Sequence, residues 1–155
     1  MTYPTIVRHE SEHKLVSVRT PSGREIRPSA VDQMKVVFTK ELASIGDWDG
    51  RYEGVQANIS YEAKKAAPVT RVVFNPTEEK KCSVKSFMLA FYKDINNART
   101  MQLGTGIMTL KKGSTTPQVF EFPEVVEAHE IRIIVMENYG DDEQTCFSGA
   151  TIYRV

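Results

Sequence analysis

The chain is short of several things. Its 155 residues include two cysteines and one tryptophan, and 20 Lys and Arg balance 20 Asp and Glu, so the formal net charge is zero with His neutral. Balanced charge excludes a protein whose main task is to coat nucleic acid, which needs clustered excess cation, although a local basic patch stays open. No apolar run approaches the roughly 20 residues that a membrane helix needs, so membrane insertion is not expected. The first 14 residues, MTYPTIVRHESEHK, hold no apolar stretch of the signal-peptide kind. The expectation is an intracellular, cytoplasmic protein. Cys82 and Cys146 are able to pair in principle, but without a secretory signal two reduced, partly buried thiols are expected.

Catalytic and metal patterns are missing as well. His9, His13 and His129 have no ligand-like spacing with each other or with the cysteines, which leaves a zinc site without support. Neither cysteine has a nucleophile's signature, and no nucleophile elbow surrounds Ser148. Gly104-Thr105-Gly106 is too short for a phosphate loop and lacks the following Lys and helix. The expectation is a protein that is not an enzyme.

Alternation of apolar and polar residues is plentiful. Residues 55–61 place Val55, Ala57, Ile59 and Tyr61 on one face and Gln56, Asn58 and Ser60 on the other. Residues 14–20 and 24–27, joined by Pro21-Ser22-Gly23, read as a hairpin. Residues 69–75 form a strand closed by Pro76, and 83–93 (SVKSFMLAFYK) read as a central strand covered on both faces. Residues 93–100 read as a polar turn, and 101–103 and 107–110 as short strands around a glycine break. The C-terminal third has strands at 119–122, 130–137 and 145–154, separated by a Pro-bearing crossover at 123–129 and an acidic turn at 138–143. Residues 29–45 are ambiguous. Val31, Met34, Phe38, Leu42 and Ile45 recur at helical spacing, whereas KVVFT at 35–39 suits a strand, and a short helix or turn followed by a strand is expected. Eight or nine short strands with little helix and no repeat or linker predict a single-domain, all-β antiparallel two-sheet sandwich or barrel. The start at Met1 suggests an N-terminal domain or a whole protein, and the end in a strand-like YRV suggests a cut.

The order of these features resembles the galactose-binding-like, or discoidin (F5/8 type C), jelly rolls. GVQANISY at 54–61 with VTRVVFN at 69–75 looks like that family's paired strands. FEFPEVVEAHEIRII at 120–134 is similar to its "F-p-x-x-x-A-R-Y-I-R-I" segment, with Ala128, Ile131, Arg132 and Ile133 matching and His129 and Glu130 in the aromatic-rich middle. FSGATIYRV resembles its closing strand. Similar strand grammar occurs in the Doc, SUN and PITH domains. The resemblance covers residues 47–155 and implies an eight-stranded jelly-roll β-sandwich whose loops at one end bind a ligand or partner. Two departures separate the chain from secreted lectins: the cysteines are internal rather than terminal, and the closing strand lacks the acidic residue that often serves a calcium site.

By that resemblance, Asp47, Trp48, Asp49, Arg51, Tyr52 and Glu53 lie in the ligand-proximal loop, where Trp48, Tyr52 and Arg51 would supply an aromatic platform and planar hydrogen-bonding groups. The plainer reading of Trp48 is a core plug. Asn138, Asp141, Asp142 and Glu143 offer the oxygens that calcium needs, but their spacing is not that of an EF-hand, and a solvated acidic turn is the plainer reading. Lys80, Lys81, Lys85, Lys111 and Lys112 read as guards against edge pairing. The leading expectation is an intracellular adaptor or scaffold domain that docks a protein partner in a larger assembly, with no cofactor. The alternative is a lectin-like carbohydrate-binding module with calcium at the acidic turn.

Overall fold

The computed structural model of the chain describes residues 7–25, 30–31, 36–39 and 54–155. Among them are eleven strands: β1 (His9–Glu10), β2 (Lys14–Arg19), β3 (Ala30–Val31), β4 (Val36–Thr39), β5 (Ala57–Phe74), β6 (Val84–Ile95), β7 (Ala98–Gly104), β8 (Met108–Thr109), β9 (Gln118–Asn138), β10 (Gln144–Phe147) and β11 (Ala150–Arg154). The larger sheet runs β1-β11-β5-β9-β6-β7, with β2 also on β5 and β8 also on β6, and a smaller sheet runs β10-β4-β3. The protein is an all-β antiparallel jelly-roll sandwich, as its alternating pattern predicts.

Two long strands make the sandwich. The first half of β5, from Ala57 to Glu62, pairs with the second half of β9, and its second half, from Ala67 to Phe74, pairs with the first half of β9. Between them residues 63–66 of β5 have no counterpart and only His129 intervenes on β9, so both strands bend there and pass from one layer to the other. One layer holds β2, β6, β7 and β8, and the other holds β1 and β11. Aromatic rings close the space between them. Phe74 meets Phe87 at 4.8 Å, Phe120 meets Phe87 at 5.2 Å, and Phe122 meets Phe91 at 4.9 Å between ring centroids. Phe147 of the smaller sheet packs on Phe74 and Tyr61. Phe74, Phe87, Phe91 and Phe147 are buried, and each such side chain contributes about 1.5–3 kcal/mol by leaving water.

The structure departs from the sequence reading where a long-range register overrides a local signal. The expected crossover at 123–129 is continuous strand. Pro123 is tolerated because residues 122–125 fall between the pairs Arg71↔Glu121 and Val69↔Val126, where no ladder bond needs its missing N–H. The strands expected at 55–61 and 69–75 are one bent strand. The closing strand at 145–154 is two, broken at Gly149, whose φ of 91° turns the chain from the smaller sheet into the larger. Residues 93–100 form the β6–β7 hairpin around Asn96 and Asn97, both in the left-handed region that such turns require. Val31, expected to open a helix, pairs as a strand with Val36, and the strand reading of 35–39 holds over Val36–Thr39. The hairpin after β2 holds where it is described, through Thr20 N donating to Arg24 O at 2.7 Å and an Arg19↔Glu25 bridge.

The cysteines form a disulfide, which corrects the expectation of free thiols. Cys82 and Cys146 are 64 residues apart in sequence but 5.0 Å apart at Cα. Cys146 N donates to Cys82 O, and Ser83 bridges Cys146 in parallel, so the backbones run side by side before the sulfurs meet.

Candidate functional site

Because β5 and β9 double back, both ends of each strand emerge at the same end of the sandwich, and the connections there converge. Residues 75–83 are tied to 110–117 by Thr77 N donating to Ser114 O and Gly113 N to Glu78 O. Tyr139 N donates to Ser83 O, its hydroxyl donates to Leu110 O, and the disulfide joins Cys82 to β10. Three loops thus become one rigid rim. A cavity of about 160 Å³ beside the disulfide is lined by Pro76, Thr77, Glu78, Ser83 and Ser148.

Asp47, Trp48, Asp49, Arg51, Tyr52 and Glu53 lie outside the described residues. The nearest described residues are Thr39, which pairs with Gln144, and Gly54, which packs directly against the Asn138 side chain. Both Thr39 and Gly54 border the acidic turn at the loop end.

Within that turn Asn138 is buried and fully committed to the turn itself. Its Oδ1 accepts from Gly140 N and Asp141 N at 2.9 and 3.0 Å, and its Nδ2 donates to Asp141 O, Gln144 O and Thr145 Oγ1. Asp141 Oδ1 accepts from Glu143 N and Gln144 N, while Asp142 is exposed. These bonds brace the backbone as an Asx turn does. Among the described residues no three His, Cys, Asp or Glu side chains come together as metal ligands.

Two of the lysines are brought to one ring. Lys80 and Lys81 lie in one connection, Lys111 and Lys112 in the next, and Lys85 near the start of β6. Lys85 and Lys112 place their ammonium groups 5.9 and 5.3 Å from the centroid of the same Tyr139 ring, within cation–π range. Tyr139 went unremarked in the sequence. The available signal was an aromatic residue set inside an otherwise polar, acidic turn.

At the opposite end, beside the bend, the polar groups are saturated. Glu130 is only 3 % exposed yet accepts from Ser60 Oγ at 2.7 Å, Arg99 at 2.8 Å and Arg132 at 2.9 Å. Burial pushes its carboxyl up, but the bonds from Arg132, Ser60 and Arg99 outweigh that and hold it below the ordinary glutamate range. Arg99 also pairs with Asp94 and Glu62, and Arg132 stacks 4.2 Å from the Tyr92 ring centroid. Nearby, the His13 ring accepts from Ser11 Oγ and donates Nε2–H to Ala128 O. Burial pushes His13 below its usual value, against the bond to Ala128 and with help from His129.

No family model matches the chain, and no curated protein matches it either. Solved structures do. A family 32 carbohydrate-binding module from a family 31 glycoside hydrolase of Clostridium perfringens superposes with a TM-score of 0.63 at 12 % identity, covering 93 % of this chain and 92 % of that one. The fold is the galactose-binding-like jelly roll. A family 32 module of the C. perfringens protein NanJ, in complex with galactose, matches with a TM-score of 0.56 at 12 % identity over 81 % and 80 % of the two chains. An F5/8 type C domain from Bacteroides fragilis matches with a TM-score of 0.51 at 15 % identity over 82 % and 96 %. The superpositions agree with the resemblance of the strands.

Proposed function

We propose that this protein is a non-catalytic carbohydrate-binding module that takes a glycan at its loop end. The observation that carries the reading is the convergence of three braced loops on one rim, with Thr39 and Gly54 beside it, in a fold whose solved likenesses include a module in complex with galactose. This favours the lectin-like alternative over the adaptor that the sequence put first. The Cys82–Cys146 bridge supports an oxidising compartment rather than the cytoplasm expected from the sequence. A glycan array tests the reading: wild-type protein gives signals that Trp48→Ala and Tyr52→Ala each reduce at least about tenfold, as removal of stacking platforms does. A blank array for the wild type sinks it.

One observation keeps a protein partner in play. A cleft of about 530 Å³ opens between the edge strand β7 and residues 122–127 of β9, with Leu103, Phe122 and Val125 on its walls. If a protein partner docks there, Leu103→Lys abolishes its binding while Trp48→Ala does not. The reverse pattern assigns any partner to the loop end.

A further inference from the structure

Building on the glycan reading, we propose that the preferred ligand is an anionic polysaccharide, bearing carboxylate or sulfate groups, held beside Tyr139 by Lys85 and Lys112. A saccharide lays the C–H face of its ring on an aromatic side chain, and its substituents reach outward to polar groups around the rim. Tyr139 has its hydroxyl tied to Leu110 O and its N–H to Ser83 O, so the ring is held in place before any ligand arrives. What surrounds the ring is cationic.

Lys85 and Lys112 both bring an ammonium group within 6 Å of its centroid. Lys85 has no ion-pair partner among the described residues, and the carboxylate nearest Lys112, Glu79, stands at 4.0 Å with its side chain 78 % exposed. Lys81 and Lys111 lie on the connections that form the same rim and likewise have no ion-pair partner among the described residues, whereas Lys80 is paired with Glu78. Both ammonium groups therefore stand beside the Tyr139 ring, where a negatively charged substituent of a ligand gains charge-assisted hydrogen bonds from them. A neutral galactose would leave both charges uncompensated. Asp141, Asp142 and Glu143 lie on the turn that follows Tyr139, so the rim has an acidic side as well. That polarity would orient an anionic chain toward the lysines.

Isothermal titration of the whole protein with four polymers tests this: polygalacturonate for carboxylate, dextran sulfate for sulfate ester, neutral galactan, and duplex DNA as a polyanion without the saccharide face. The expected result is binding to polygalacturonate or dextran sulfate at least about tenfold tighter than to galactan, weakening as salt rises, with the better of the two naming the anionic group. Lys85→Gln and Lys112→Gln each weaken that binding about tenfold, while Lys65→Gln at the bend leaves it unchanged. Tyr139→Phe, which keeps the ring but loses the hydroxyl tie to Leu110 O, binds only a few-fold more weakly than the wild type, and Tyr139→Leu, with its melting temperature checked, loses at least about tenfold. Galactan bound as tightly as the acids overturns the anionic ligand but leaves the glycan reading standing. DNA bound as tightly as the acids, or an equal loss with Lys65→Gln, reduces the effect to unspecific polyanion attraction and overturns the proposal. Failure of every polysaccharide overturns the anionic ligand, and the glycan reading then stands or falls with the array.

Discussion

The two ends of this sandwich treat charge in opposite ways. At the bend, a nearly buried Glu130 is surrounded by Ser60, Arg99 and Arg132, and Arg99 is itself engaged by Asp94 and Glu62. Both His13 ring nitrogens have partners. At the loop end, Lys85 is left against a tyrosine ring with no carboxylate in ion-pair range among the described residues, and Lys112 has one only at 4.0 Å. A buried carboxylate without its cations is severely destabilising, so saturation at the bend is a folding requirement. Lysines that reach water impose no such requirement. Their convergence is therefore informative about binding in a way that the denser network at the bend is not.

The sharpest way to break the comparison is at the saturated end. Ser60→Ala with Arg132→Met leaves the nearly buried Glu130 carboxylate short of two of its three partners and should lower stability by about 3 kcal/mol in urea unfolding. A loss near zero would mean that the network is surface decoration. At the loop end the rigidity comes from covalent and backbone ties. Cys146→Ser should cost about 2–4 kcal/mol, because the bridge closes a loop spanning 64 residues, and reducing agent should reproduce it in the wild type. Glycan affinity should fall with it, since residues 80–83 help to hold Tyr139.

Gly54→Ala follows. Gly54 has a φ of +94° and its added methyl would run into the Asn138 amide, so a loss of about 1–3 kcal/mol is expected by thermal unfolding. The pH dependence is smaller and again belongs to the bend. His13 is held below its usual 6.5, so the unfolded chain binds the proton more readily, and stability falls as pH drops from about 6.5 toward the folded value. Glu130, also held low, extends the decline below about 4.5. Urea midpoints between pH 8 and about 2.5 should show both phases, and His13→Gln should flatten the upper one. The smallest effect is the most telling: Lys85→Gln should change stability by less than about 0.5 kcal/mol, whatever it does to ligand binding.

Much of this architecture was legible in the chain. Ile131, Ile133 and Val135 alternate with Arg132 and Ile134 and are the buried row of β9. The resemblance of residues 120–134 to discoidin-type strands led to the right fold. Site legibility was poorer. The five lysines were noticed but read as edge guards, because nothing local says that residues 85 and 112 end beside residue 139. Asn138 stands among carboxylates in the sequence, and only the structure shows its amide bracing the turn from inside. The Trp48 loop was chosen by resemblance, and it lies outside the described residues.

The division has a physical basis. Burial on one face of a strand imposes a period of two on neighbouring residues, so strand identity, the fold class and the apolar core were written locally and readable without coordinates. Pairing is set by registers between segments far apart in sequence, each residue of which contributes little to the choice. Only the tertiary structure could decide that β5 and β9 are single bent strands, that Cys82 meets Cys146, and that Lys85, Lys112 and Tyr139 share one rim.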